Sequence, residues 1–391
     1  YGLDLASGTL HWRTKVDFTP GARVTGTVTF HKGVVYVPVS SLEEVAAMKM
    51  DLPCCTFRGS VVAINGNDGS LRWKTYTIDR YAEYLGTNAI GIDRFGPSGV
   101  PVWSGISVDD KRNLIYVGNG NQFTEPEVVE SDAVMALDID TGKKRWVKNL
   151  APEQMDGKDI YHLACEAWWD PDRKNCSPEN PEGHGDRDIG APPVLITRAD
   201  GKDVILVGSK DGMLYLLDAD KDGQVIWNVR VGVGGEVGGI EYGVASDGRY
   251  AFAPVVDMNA DLSSNGSLTA VDLMTGEVAW RVEQVDSVCE GKPTPPCGNA
   301  MITPPTVAGE VVFVGLIDGT LRAYRTSDGK EVWRFDTAKS FAGVNKLDGQ
   351  GGSLGNGGPV VINDRIFITS GFSILNVGMP GNVLLSFKIP Q

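Results

Sequence analysis

Two cysteines occupy neighbouring positions in "CCTFRG" (54–59), and an arginine follows closely. Adjacent Cα atoms lie about 3.8 Å apart across a trans peptide, whereas ordinary disulfides prefer about 4.4–6.8 Å. A Cys54–Cys55 bond therefore closes a tight ring, the kind of ring that a surrounding site holds in place. Other chemistry-bearing residues stand at the edges of apolar runs. Trp103 lies in "GPSGVPVWSG" (96–105), and Asn119 and Asn121 follow the run at 113–118. Asp186 and Asp188 precede the run in "GHGDRDIGAPPVL" (183–195), Lys210 ends "VGSK", and Glu241 sits in "GVGGEVGGIEYG" (232–243). Carboxylates, amides, an ammonium and an indole at one structural level would line a common funnel, if the fold brings the runs to one axis.

The elements that position them come from a repeat. Six times an apolar strand enters an Asp/Asn-Gly turn and a short strand ends in tryptophan: "LDLASGTLHW" (3–12), "AINGNDGSLRW" (63–73), "ALDIDTGKKRW" (136–146), "LLDADKDGQVIW" (216–227), "AVDLMTGEVAW" (270–280) and "AYRTSDGKEVW" (323–333). Trp12, Trp73, Trp146, Trp227, Trp280 and Trp333 are equivalent positions and read as structural wedges. A unit of about 50 residues with loop insertions marks a propeller-like array, and the turn residues supply the φ > 0 conformations of a hairpin. Each unit opens on a β-branched run bounded by Gly or Asp, such as "GVVYVPVS" (33–40), "NLIYVGNG" (113–120), "DVILVGSK" (203–210), "RYAFAPVV" (249–256), "EVVFVGLI" (310–317) and "DRIFITSG" (364–371). "GNVLLSFKIP" (381–390) is a repeat strand without its tryptophan. The expected fold is all-β, a single β-propeller domain over 1–391 built of four-stranded blades. Seven blades are recognisable, and a truncated start allows eight. The opening "YGLDLASGTLHW" reads as the middle of an element, so a leader and more are expected before Tyr1.

Charge narrows the partners. Lys and Arg number 36 against 50 Asp and Glu, a formal net charge of −14, which argues against nucleic acid. No run of about 18 apolar residues suits a transmembrane helix. The six cysteines allow about 15 pairings. Cys165 and Cys176 flank one polar loop and Cys289 and Cys297 another, which leaves Cys54 with Cys55. That set fits an oxidising compartment such as the periplasm; the alternative is six reduced thiols in the cytosol.

The chain resembles the quinoprotein alcohol dehydrogenases, propeller enzymes that use pyrroloquinoline quinone. The resemblance is carried by "YVPVSSLEE…CCTFRGSVVA" (36–63), "GPSGVPVWSGISVDDKRNLIYVGNGNQFTEP" (96–126), "GDRDIGAPPVL" (185–195), "VGSKDGMLYLLD" (208–218), "GGIEYGVASDGR" (238–249) and "GGSLGNGGPVVINDRIFITSGFS…GMPGNVLLSFKI" (351–389). It implies a role for each matching residue. A Cys54–Cys55 disulfide covers one face of the quinone and Trp103 supports the other, polarizable sulfur and a flat indole both suiting a π-face. Arg58 is a fork for a quinone oxygen. Asn121, with Asp188, is a ligand for Ca²⁺, which prefers hard oxygens. Asp188 is the general base that takes the alcohol proton, with Asp186 as the local rival. Lys210 hydrogen-bonds the quinone oxygens and stabilises the charge that builds on reduction. Glu241 is a polar cofactor contact, and Arg23 and Thr25 in "GARVTG" line the same funnel.

The sequence also departs from the family. Well-studied members take a metal-ligand glutamate from a Ser-Gly-Ala-Glu segment; here "SGVP" offers Pro101, with Glu43 or Glu44 of "SSLEE" as replacements. Lanthanide-using members carry an acid two residues past the catalytic aspartate, where this chain has Gly190, so Ca²⁺ is expected. No Cys-x-x-Cys-His haem motif is present, so the resemblance implies a separate c-type cytochrome as electron acceptor. The expected function is periplasmic oxidation of a primary or secondary alcohol, small or polymeric. The alternative is a non-catalytic propeller scaffold like the outer-membrane assembly lipoproteins, which share the Trp-ended repeat.

Overall fold

In the computed structural model, the residues described are all of 1–391 except 45–48, 50, 89, 151–186, 236, 259–263, 265, 284–288, 290–297, 374–377 and 389–391. The β-branched runs become strands at Val34–Ser41, Leu114–Gly118, Asp203–Gly208, Tyr250–Val255, Val311–Gly315 and Arg365–Ser370. Several stop two residues short of the run read from sequence, and those last residues turn out to belong to the site.

The chain forms two compact units, 1–195 with 219–224, and 196–218 with 225–391. In the first, Ala22–Arg23, Val34–Ser41, Ser60–Asn65 and Leu71–Tyr76 pair in that order, with Thr29–His31 also on Val34–Ser41. A second sheet runs Ser107–Asp109, Leu114–Gly118, Ala133–Asp138, Lys144–Asn149. Its core packs Tyr36, Val61 and Ala63 with Ile115, Val117, Met135 and Leu137, all buried. The second unit holds three four-stranded sheets: Val194–Thr197 (beginning at the unit boundary) to Gln224–Arg230, Ala245–Ser246 to Val278–Glu283, and Thr306–Ala308 to Glu331–Asp336. A three-stranded sheet, Val360–Ile362, Arg365–Ser370 and Val383–Lys388, closes the order. Its last strand is the repeat copy that lacks tryptophan.

The wedge tryptophans do what their spacing predicts. Trp12 Nε1 donates to the Gly66 carbonyl, Trp73 to Ile139, Trp227 to Leu273 and Trp280 to Thr326, each in the turn of the following repeat. The indole also lies on that turn's glycine. A methyl at Gly142 would sit 2.5 Å from the Trp73 ring, and one at Gly329 would sit 2.6 Å from that of Trp280. Both glycines have φ of 70°, so the turn needs glycine for its backbone and for the ring above it. Sequence similarity between repeats is thus an interlock: each tryptophan needs the next repeat's glycine.

Candidate active site

The site is built where inner segments cross strand ends. One backbone bond recurs in five repeats: Val102 N–H to Val39 O (3.2 Å), Ile189 to Asn119 (3.1 Å), Ile240 to Ser209 (3.0 Å), Met301 to Val255 (3.3 Å) and Leu354 to Leu316 (3.2 Å). This register makes Pro101, Asp188, Gly239, Ala300 and Ser353 equivalent, each preceding its donor. Asp188 alone among them is charged. One residue past the donors stand Trp103, Gly190, Glu241, Ile302 and Gly355; one past the acceptors stand Ser40, Gly120, Lys210, Val256 and Ile317. The candidates Trp103, Asp188, Lys210 and Glu241 therefore occupy defined register positions, filled elsewhere mostly by small or apolar residues. Sequence reasoning located them as interruptions of the repeat but missed the register, which aligning "GVPVW", "DRDIG", "VGGIE", "GNAMI" and "GGSLG" would have shown.

In the first unit, the register brings Trp103, Asn121 and Asp188 together. The Trp103 indole Nε1–H donates to Asp188 Oδ2 at 2.8 Å, and the Asn121 backbone N–H donates to Asp188 Oδ1 at 2.5 Å. Asp188 and Asn121 are buried, at 7% and 2% exposure. With a donor on each oxygen the carboxylate cannot rotate freely. Gly120 completes the arrangement. A Cβ there would stand 3.0 Å from Trp103 Nε1 and 3.1 Å from Asp188 Oδ2, so the absence of a side chain lets the strand end approach the indole and the carboxylate closely. This close approach was not foreseen from sequence; the glycine of "GNGN" was its signal.

The Cys54–Cys55 disulfide forms, across a cis peptide. Its segment runs beside 93–99: Cys54 N–H donates to Asp93 O, Phe95 N–H to Cys54 O, Cys55 N–H to Phe95 O, and Gly99 N–H to Phe57 O. The bridge packs with Phe57 and Phe123, two residues past Asn121. The chain that carries the disulfide is thus tied to the segment that continues to Trp103.

Arg58 and Glu43 have partners that the sequence did not indicate. The Arg58 guanidinium is stacked between the Tyr76 and Tyr81 rings, 3.9 and 4.0 Å from their centroids, and donates to the Ile78 and Asp79 carbonyls. Its planar fork thereby helps hold the chain after Tyr76. Glu43, considered as a replacement metal ligand, gives its carboxylate to the backbone N–H groups of Thr56 and Phe57. Arg23 and Thr25 are exposed. Asp186 and the Cys165, Cys176 and Cys297 members of the loop staples lie outside the described residues.

In the second unit, Lys210 and Glu241 are buried. Both act on Tyr242: burial raises its phenol well above the ordinary tyrosine range, the Glu241 charge adds to the rise, and Lys210 opposes it. A carboxylate also holds the loop that delivers Glu241. Asp257 accepts the N–H groups of Val233 (2.7 Å), Gly234 (3.0 Å) and Gly239 (2.9 Å).

The residues present differ in how well they suit the two implied groups. For a planar aromatic group, the Trp103 indole and the Cys54–Cys55 disulfide are surfaces of the right type, on chain segments tied together by the pairing of 54–57 with 93–99. For Ca²⁺, the Asp188 carboxylate and the Asn121 amide are hard oxygens of the right type, but a calcium ion takes about six to eight. Among the described residues no group of three His, Cys, Asp or Glu gathers to hold a metal. No step below is routed through a cation.

Comparison with known proteins matches this arrangement to a family. A family model described as "Outer membrane protein assembly factor BamB" matches residues 1–163 and 210–370. A polyvinylalcohol dehydrogenase of Pseudomonas sp. is 35% identical over 396 residues, covering 99% of this chain and 60% of the relative. The chain thus spans less than two thirds of that relative's length. Among solved structures, the quinohemoprotein alcohol dehydrogenase from Comamonas testosteroni has a TM-score of 0.62 at 18% identity, covering 97% of this chain and 60% of that one. A europium-containing methanol dehydrogenase has a TM-score of 0.60 at 18% identity, covering 97% and 70%. At these identities the structures speak for the fold.

Proposed function

We propose a function from one premise: the chain belongs to the repeat family of outer membrane protein assembly factor BamB, and its sequence is similar to polyvinylalcohol dehydrogenases. The sheets are blades of one propeller domain, seven or eight in number. The protein is a quinone-dependent alcohol dehydrogenase of the periplasm, acting on a small or polymeric alcohol and passing electrons to a c-type cytochrome. The observation that carries this reading is the buried Asp188 carboxylate, held by Trp103 and Asn121.

Bound pyrroloquinoline quinone supplies the hydride acceptor. Asp188 takes the hydroxyl proton of the alcohol on a carboxylate oxygen, which raises the tendency of the carbinol carbon to release hydride. The Trp103 and Asn121 donors fix the direction in which Asp188 accepts that proton. Burial of Asp188 and Asn121 keeps bulk water from competing for it. Lys210 places positive charge where negative charge develops, as its family counterparts imply. Cys54–Cys55 and Trp103 provide the flat surfaces against which a ring is oriented.

A scaffold reading has one support, the description of the family model itself. Equilibrium dialysis of purified protein against pyrroloquinoline quinone separates the two. The dehydrogenase reading expects one quinone per chain, retained on desalting and released on denaturation. Absence of stoichiometric binding, with and without Ca²⁺, leaves the scaffold.

A further inference from the structure

We propose that Glu43 is the positioning residue of the Cys54–Cys55 platform, and that through it Glu43 sets quinone affinity; the second half rests on the function proposed above. Glu43 Oε1 accepts the Thr56 N–H at 2.9 Å and lies 3.3 Å from Thr56 Oγ1, while Oε2 accepts the Phe57 N–H at 2.7 Å. Both carboxylate oxygens therefore face the two residues that follow the disulfide. The Glu43 backbone is itself fixed. Its N–H donates to Ser41 Oγ at 2.9 Å, and its carbonyl lies 4.0 Å from Cys55 Sγ.

Ser41 ends the inner strand Val34–Ser41 and occupies the register position that Asn121 holds in the next repeat. The clamp thus ties the cysteine segment to an inner strand end, on the side away from its pairing with 93–99. Without it, the turn after Cys55 would have two N–H groups to satisfy by other means, and hydrogen bonds to a carboxylate are about twice as strong as neutral ones. A turn held from both sides presents its sulfurs in one position, and a ligand that stacks on them meets a preorganised surface. Glu43 touches neither substrate nor cofactor in this account. It acts through the backbone it holds.

Glu43→Gln tests this, because glutamine keeps one acceptor oxygen and turns an NH2 group toward the other N–H. Amide hydrogen exchange of the cofactor-free protein is read first. The expected result is faster exchange at Thr56 and Phe57, with the tryptophan-wedge repeats unchanged. Unchanged exchange at 56–57 overturns the clamp. Pyrroloquinoline quinone affinity by dialysis is read second, and about a tenfold loss is expected, the usual size of one charged hydrogen bond. In the residual holoenzyme, the KM for alcohol should stay at the wild-type value, a split that general destabilisation would not give. Faster exchange with wild-type quinone affinity overturns the positioning role. Wild-type protein that binds no quinone sinks the proposed function instead, while the exchange measurement still decides the clamp. Should Glu43→Gln fail to fold, Thr56→Val removes the hydroxyl donation alone and is expected to move exchange and affinity in the same direction by less.

Discussion

Two buried carboxylates in register-related places do opposite work. Asp188, in the first unit, receives one indole N–H and one backbone N–H and lies close against Gly120. Asp257, in the second, receives three backbone N–H groups from 233–239 and closes a glycine-rich loop upon itself. The difference lies in the partners. A carboxylate surrounded by main-chain donors is a structural knot, whereas Asp188 is oriented by a side chain as well as by the backbone. Glu43 belongs with Asp257 by this criterion. Acidic residues near the inner strand ends therefore cannot be read as ligands from sequence alone.

The comparison can be broken most sharply at Asp188. Asp188→Asn should retain quinone and lose alcohol-dependent dye reduction by about 10³-fold, the middle of the range for removing a general base. Activity near wild type with quinone loaded would move the base elsewhere. Lys210→Met asks whether the second unit contributes charge stabilisation; a fall in kcat of about 10²-fold is expected, with steady-state dye reduction as the assay. A change confined to thermal stability would make Lys210 structural. Gly120→Ala tests the close packing around Asp188. Its methyl would meet Pro101, Trp103 and Asp188 at 3.0–3.1 Å, and overpacking on that scale should weaken quinone binding about tenfold. Unaltered affinity would show that the ring sits elsewhere.

The smallest effect is on alkaline stability. Burial pushes the Tyr324 phenol up to about 12 and raises Tyr116 and Tyr242 as well. The unfolded chain gives up these protons near the ordinary value of 10 while the folded chain keeps them. Their contribution is therefore complete below about pH 10 and is lost progressively as pH rises toward the folded values. Denaturant midpoints should hold up to about pH 9.5 and then fall. A flat profile to pH 12 would contradict the burial of these phenols.

Much of this was legible because it is local. The tryptophan-ended repeats, the strands and the turn glycines follow from alternation and φ > 0 requirements within each unit. Trp103 and Asp188 were legible as interruptions of the repeat, and their mutual hydrogen bond follows from a register that each repeat shares. Arg58 and Glu43 were not. Arg58 is decided by Tyr76 and Tyr81, whose rings reach it only after the chain folds back, and Glu43 by a turn beyond the residues of its own strand. A charged side chain within reach of two fates shows in sequence only its charge.

Cocrystallisation with pyrroloquinoline quinone tests the core of the account most directly. The account predicts planar density between the Cys54–Cys55 sulfurs and the Trp103 indole, with Asp188 within hydrogen-bond reach of the reacting edge. Crystals grown with saturating quinone that hold no ring there, or in which the ring lies away from Trp103 and Asp188, would contradict it.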